Sequence, residues 1–566
     1  MISPEAMTLL KNRYLLEDET PDQMFWRVAE HVAQGEELYQ ADKNQAAEEY
    51  YKLMSNLAFL PNSPTLMNSG KANAQLAACF VLPIRDSLSD IFETLKNAVL
   101  VHHSGGGTGF SFSRLRPQGD VVRERAGKAS GPLAFISIFD AVAQTVKQGA
   151  VRSGANMAVL RVDHPDIKEF IIAKHNNTEL NNFNLSVGVT DSFMTAVEKD
   201  TDFALVNPRT GHPTVRVRAR SIFDLIVDMA WQNGEPGLFF LDTVNRANPT
   251  PELGDFESPN PCSEQPLLPY ESCTLGSINL TRMLKRGGGK WEIDFIKLAE
   301  TVRTAVRFLD NVIDVNHYPL DEIKQKSLQT RKIGLGIMGL ADVFIMQDMA
   351  YASQQAVRTT AKLMNFITAT ARQESAILAS KRGNFLAFDQ SIFNGKSRYM
   401  RNATVTTLAP TGSISIIANC SSGIEPLFGL AITRRVLDGS LLSSINQSVL
   451  AYLNEHKLLT PSIETMILNE GSIQSSNLSQ HVKRVLATAH EIPPEGHVAQ
   501  LAAAQRNIDN GVSKTVNLPQ SATRSDVAHV FWQAYRKRCK GVTVYRHMSR
   551  QYQVLSHGIA CPACSL

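Results

Sequence analysis

Six of the chain's 25 prolines fall between residues 249 and 269, in the stretch PTPELGDFESPNPCSEQPLLP. A proline has no N–H to give and holds φ near −65°, so neither a central strand nor a long helix can run through this stretch. It must be a stiff loop, and the fold around it must accommodate one. Within it lies Asn260-Pro261-Cys262-Ser263-Glu264, a thiol with a carboxamide two residues before it and a carboxylate two residues after. On an extended loop alternate side chains share a side, which predicts that all three face one pocket. A thiol, a base and a hydrogen-bond donor on one surface form a catalytic constellation, although a lone cysteine in a loop is ordinarily a packing residue.

Elsewhere the texture is that of an α/β protein. Apolar runs at Met157–Val162, Phe183–Val189, Phe203–Val206, Thr404–Leu408 and Gly541–Tyr545 read as strands. Helical stretches lie between them, such as Ser353–Ser380, closed by Arg382-Gly383. Strands alternating with helices predict a parallel sheet. The N-terminal region reads as helical. Thr20-Pro21-Asp22-Gln23 is a capping-box pattern, Met24, Phe25, Val28, Ala29 and Val32 form an apolar stripe, and a second helix covers about 40–58. A Gly-rich stretch at 102–119 is the second break in the texture.

Composition excludes several classes. Hydrophobic residues are 43% and charged residues 20%, ordinary for a globular chain with a large core. A net charge of +3 is too small for a nucleic-acid coat or a basic membrane binder. There is no apolar run of about 18 residues, so no transmembrane helix is expected. The N-terminal apolar stretch is short and broken by charge, unlike a signal peptide. A cytoplasmic chain is the default expectation.

Seven cysteines, at 79, 262, 273, 420, 539, 561 and 564, are too few for a disulfide scaffold at this length. In a reducing compartment they are core, catalytic, redox or metal groups. Cys79 and Cys273 sit among small and apolar residues; spacing alone does not pair them. Cys561-Pro562-Ala563-Cys564 is either half of a zinc site, with His557 and Cys539 as possible further ligands, or a dithiol, and its place on a flexible terminus favours the redox reading. Pro410-Thr411-Gly412-Ser413-Ile414-Ser415 follows an apolar strand and suits an anion, which backbone N–H groups and hydroxyls would bind. It is not a Walker loop, and no GxGxxG fingerprint, HExxH or paired metal carboxylate motif stands out, so no metal site is expected.

These segments, together with FLPNSPTLMNSG (59–70), QLAACFVLP (75–83), Gly105–Pro117, Lys147–Pro165, Asn260–Leu280, QTRKIGLGIMGLAD (329–342) and GVTVYR (541–546), resemble ribonucleotide reductase catalytic chains in order and spacing. The likeness runs from about residue 10 to the end and is nearest to the dimeric adenosylcobalamin-dependent class II enzymes. It implies a ten-stranded α/β barrel of two five-stranded halves with a finger loop inside (59–550), a small helical N-terminal region (1–58) and a flexible redox tail (551–566).

The resemblance also implies roles. Cys262 becomes a thiyl radical that takes the substrate 3′ hydrogen, Glu264 is the general base, and Asn260 binds the ribose hydroxyls. Cys79 and Cys273 deliver two electrons and end as a disulfide, which requires Cα atoms about 4.4–6.8 Å apart. Cys561 and Cys564 reduce it and are renewed by a thioredoxin-like donor. Substrate contacts carry over to Ser63, Ala78, Cys79, Gly107, Asn260, Pro261, Cys262, Ser263, Glu264, Pro410, Thr411, Gly412, Ser413 and Ile414. Position 78 is often Ser in the family, so a hydroxyl contact is lost at Ala78. A deoxynucleotide or nucleotide triphosphate effector would use Asp86, Ser87 and Arg116, with Arg152 in the relay loop 147–156. No ATP-cone precedes the helical region, so no dATP shut-off through one is expected. Diphosphate substrates and a homodimer are the family expectation.

The alternative within the family is a class I large subunit, which takes its radical from a second subunit through two adjacent tyrosines near the C-terminus. Here that region has Tyr545 alone, and the adjacent pair Tyr50-Tyr51 lies in the helical region. The glycyl-radical motif of class III is also absent. Adenosylcobalamin is therefore the expected radical source, although no cobalamin motif is legible.

Overall fold

The computed structural model describes residues 2–122, 127–148, 152–153, 155–176, 179–435 and 441–549. Three helices open the chain: α1 (Pro4–Arg13), α2 (Pro21–Ala33) and α3 (Lys43–Ser55). In α2 the capping box forms as read. The Gln23 N–H donates to Thr20 Oγ1, and the Thr20 N–H donates to Gln23 Oε1 at 2.8 Å. The stripe from Met24 to Val32 is buried, against α3 and a long barrel helix, α6 (Phe295–Val315).

Ten strands are hydrogen-bonded in one sheet. In chain order they are β1 (Phe59–Pro61), β2 (Cys79–Val81), β3 (Gly107–Ser111), β4 (Asn156–Arg161), β5 (Phe183–Val189), β6 (Gly237–Phe240), β7 (Ser272–Asn279), β8 (Ile333–Met338), β9 (Thr515–Leu518) and β10 (Gly541–Arg546). β2, β3, β4, β5 and β6 are parallel neighbours throughout. β7 and β8 are parallel, as are β9 and β10. Residues 404–408 join these two pairs through parallel bridges, Leu335 to Thr406 and Leu408 to Val512. The seams are antiparallel: β7 to β2, and β6 to β10. The wall is thus a ring of two parallel halves, five staves each, with β1 added along the edge of β7.

The parallel sheet expected from alternating elements exists within each half, and the seams depart from it. Phe203–Val206 lies outside the barrel, in a separate hairpin. The Gly-rich stretch 102–119, read as a break, contains barrel strand β3. The helix expected at Ser353–Ser380 is α7 (Gln354–Arg382), with Ser353 as its N-cap and Gly383 as its C-cap.

The proline-rich stretch enters the barrel as a short hairpin, in which Ser258–Pro259 pairs with Pro266–Leu267. Two glycines make room for it. A Cβ on Gly109 of β3 would stand 1.8 Å from the Pro259 carbonyl oxygen, and one on Gly511 would stand 2.7 Å from that of Ser263. Only a residue without a side chain fits at either place.

Candidate active site

The hairpin tip is not the extended loop expected from spacing. The Ser263 N–H donates to Asn260 O at 3.0 Å, closing a turn with Pro261 at its second position, and Ser263 takes φ +65°. Strict alternation is therefore lost. Asn260 and Glu264 are buried, and Cys262 stands exposed at the apex. Lateral bonds hold the tip: Thr407 Oγ1 and the Gly511 N–H both donate to Glu264 O at 2.8 Å, and Asn184 Nδ2 donates to Pro261 O at 2.8 Å.

Asn260 Oδ1 accepts from the Gln265 N–H at 3.0 Å, which turns its amide nitrogen inward, and Nδ2 donates to Cys79 Sγ at 2.9 Å. Cys79 is the direct cross-strand partner of Cys273 at the β2/β7 seam. Directly opposite residues in an antiparallel pair have Cα atoms about 4.5–5.5 Å apart, inside the disulfide range. Both thiols are buried, and burial pushes each well above the usual thiol range. Burial also lifts the Glu264 carboxyl to about 7, against hydrogen bonds that favour its ionised form. Glu264 Oε2 is buried with no hydrogen-bond partner among the described residues, so a carboxylate oxygen is left for an incoming donor.

The other residues singled out in the sequence form two groups. At the first, Gly107 lies beside Cys79 in register, and its N–H donates to Ala78 O at 3.0 Å. Ser63 opens the short helix α4 (Ser63–Asn68) and shares a 2.8 Å hydrogen bond with Tyr14. Thr411 takes φ +52° and starts α8 (Gly412–Ala418), which packs on α1 and β1 and so brings residues 410–414 near the segment that carries Ser63. Gly412 is exposed and Ser413 half-buried, leaving the first turn of α8 open on that side.

At the second, Arg116 Nε donates to Asp86 at 2.8 Å, and Ser87 caps α5 (Leu88–His103). Arg152 pairs with Gln148 in a short hairpin, while residues 149–151 and 154 lie outside the described residues. The tail with Cys561 and Cys564 also lies outside them. Cys539, weighed above as a metal ligand, is fully buried in the main apolar core. Lys332 and Glu271, an ion pair under the dithiol, were missed. They are far apart in the chain, and no motif connects them.

A dithiol across a strand seam, beside a third thiol on a loop the barrel was shaped to admit, is an arrangement suited to an oxidoreductase. Comparison with known proteins narrows this. The family model described as ribonucleotide reductase, barrel domain, matches residues 77–545, and the all-alpha domain of the same family matches residues 2–74. The chain belongs to the ribonucleotide reductase large-chain family. It is 45% identical to a vitamin B12-dependent ribonucleoside-diphosphate reductase of Thermoplasma acidophilum, over 98% of this chain and 80% of the relative. A protein of the same description from Mycobacterium tuberculosis is 46% identical over 99% of this chain and 80% of the relative. The fold matches that of the Actinobacillus ureae class Id ribonucleotide reductase alpha subunit with a TM-score of 0.80, at 23% identity and covering 97% of each chain.

Proposed function

We propose that this chain reduces ribonucleoside diphosphates to 2′-deoxyribonucleotides with adenosylcobalamin as cofactor, and that the residues named above carry the reaction. The observation that carries this reading is the convergence of Asn260, Glu264 and Cys79 beneath Cys262, with Cys273 directly across from Cys79. A cofactor that brings its own metal asks one thing of the protein: a hydrogen-atom donor that a bulky group can approach. Cys262 is the only exposed cysteine among the described residues, so the site fits. When bound, adenosylcobalamin supplies the radical that removes the thiol hydrogen atom of Cys262.

The Cys262 thiyl takes the 3′ hydrogen of the ribose. Glu264 accepts the 3′-hydroxyl proton on its unpartnered oxygen, and Asn260 orients the sugar through its inward amide. The 2′ hydroxyl leaves as water. Cys79 and Cys273 give up two electrons and two protons and become a disulfide, and Cys262 returns its hydrogen to C3′. Residues 410–414, at the start of α8, receive the diphosphate with Ser63, Ala78 and Gly107. Cys561 and Cys564, on a tail spanning 551–566, reopen the disulfide and are restored by a thioredoxin-like donor. Asp86, Ser87, Arg116 and Arg152 form a nucleotide effector site in a homodimer, and the chain works in the cytoplasm. Among the described residues no helix is long and apolar enough to cross a membrane.

The test uses purified protein, a ribonucleoside diphosphate, a dithiol and adenosylcobalamin alone. Deoxynucleotide formation is expected. Silence until a separate radical-generating subunit is added would sink the reading.

A further inference from the structure

The sheet places a cation beside the redox pair. Thr274 of β7 is in register with Ile333 of β8, so Lys332, one residue earlier, lies alongside Cys273 on the side away from Cys79. Cys79 of β2, Cys273 of β7 and Lys332, the residue just before β8, thus lie side by side, and neighbours at one register level project from the same face. Lys332 is 1% exposed and Cys273 is 1% exposed, whereas Cys79 is 5% exposed.

A buried ammonium is costly unless its position is held. Lys332 Nζ donates to Glu271 Oε2 at 2.5 Å and lies 4.6 Å from the centre of the Phe256 ring. Glu271 is itself fixed, accepting from Thr330 Oγ1 at 2.9 Å and from the Leu268 N–H at 2.7 Å. Other charges face the same space. Glu264 and Glu271 disfavour a thiolate at Cys273, and Lys332 favours one. Lys540, a second buried cation near Lys332, is pulled down to about 8 by burial and by Lys332, and donates to Asn510 O at 3.1 Å. Neither the 3′ hydrogen transfer nor the proton transfer at Glu264 uses Lys332.

We propose that Lys332, positioned by Glu271, stabilises the Cys273 thiolate when the Cys79–Cys273 disulfide is reopened, so that the incoming thiol attacks Cys79 and Cys273 is the leaving sulfur. The inference rests on the role given above to Cys79 and Cys273. In the first step the attacking thiolate forms a bond to Cys79 Sγ, the Cys79–Cys273 bond breaks, and its electron pair goes to Cys273 Sγ beside the Lys332 ammonium. The second thiol of the reductant then attacks the mixed disulfide, releasing Cys79. Two protons pass from the dithiol to Cys79 and Cys273, leaving an oxidised dithiol and two protein thiols. Lys332 touches neither substrate nor cofactor; it is a positioning residue for the leaving group.

The test uses full-length chain carrying Cys561→Ser and Cys564→Ser, so that only added thiol attacks. The protein is oxidised with diamide, and the Cys79–Cys273 bridge is mapped by mass spectrometry. It is then exposed briefly to the monothiol 2-mercaptoethanol and alkylated. The adduct is expected on Cys79, with Cys273 alkylated; the adduct on Cys273 overturns the proposal. In the charge-neutral pair Lys332→Met with Glu271→Gln, opening by dithiothreitol is expected to slow roughly tenfold, while Lys332→Arg retains most of the rate. An unchanged opening rate in a double variant that melts like its parent also overturns it. The adduct map requires no Lys332 variant to fold. Failure of the bridge to form sinks the role of the two cysteines and this inference with it, whereas a normal bridge with the adduct on Cys273 sinks this inference alone.

Discussion

At the scale of single residues, the proposed reaction depends on a carboxyl kept out of water, Glu264. Burial raises Glu264 from an ordinary value near 4.5 to about 7, which is where a general base is most effective near neutral pH. In the proposed role of general base Glu264 must be ionised, so turnover is expected to rise as pH increases through about 7 and then level off. Stability runs the other way. Between about 4.5 and 7 the folded state holds a proton that the unfolded state has shed, so stability falls as pH rises across that window. Glu264→Gln is expected to reduce turnover by roughly 10²–10⁴-fold and to melt above its parent at pH 8, with the difference vanishing at pH 4. Rapid-quench rates and thermal melts across pH check both, and a melting difference independent of pH would contradict the assignment. Cys262→Ser should abolish deoxynucleotide formation entirely. Cys561→Ser should lose turnover with a thioredoxin donor yet keep some with a small dithiol; equal loss with both reductants removes the shuttle role.

At the scale of elements, the finger hairpin depends on what the facing strand lacks. Gly109→Ala drives a methyl group into the Pro259 carbonyl, and overpacking of this kind costs about 1–3 kcal/mol or more. The expected result is a lower melting temperature together with lost turnover, because the same shift moves Cys262 away from Cys79. An alanine variant that melts and turns over like its parent would show that the hairpin does not press on β3. The same contact explains why β3 was illegible. Glycines at 107 and 109 read as a break in the chain, whereas here they are clearance for a distant loop. β5 was read residue for residue and β4 within one residue, because their apolar runs end in turn signals. β7 and β8 are buried on both faces and show no alternation, so periodicity does not mark them. In the site, the proline pattern pointed to the stiff loop, but the turn at Ser263 and the seam that joins Cys79 to Cys273 are long-range features that no local pattern encodes.

At the scale of the whole molecule, the helical region is fastened to the barrel by charge as well as by packing. Glu36, which follows α2, accepts from Arg382 of α7 at 2.7 and 2.8 Å, from Arg307 of α6 at 2.8 Å and from Asn311 at 2.7 Å. Arg382 also donates to Asp310, which accepts from Arg331 and Arg401 as well. Tyr39, from the same stretch as Glu36, donates to Asp314 at 2.8 Å. The network is buried, so removing one member leaves uncompensated charge inside, at a cost of about 3–5 kcal/mol. Although burial works against it, hydrogen bonds from Arg307 and Asn311 and the nearby guanidiniums hold Glu36 down at about 2, from an ordinary value near 4.5. A depressed carboxyl contributes stability that is fully present above its unfolded value and is lost as pH falls through the folded one. The melting temperature of the parent is therefore expected to fall steeply between about pH 4.5 and pH 2. Glu36→Gln should start lower at neutral pH and fall less steeply across that window. Asp310 lies even further below the usual carboxylate range, held there by Arg331, Arg401 and Arg382 against its own burial, so part of the slope must survive in the Glu36 variant. If the Glu36→Gln melting curve runs parallel to its parent's throughout, the charge network is not what couples the two regions, and packing, of α2 and α3 on α6 and of α1 on α8, carries the junction.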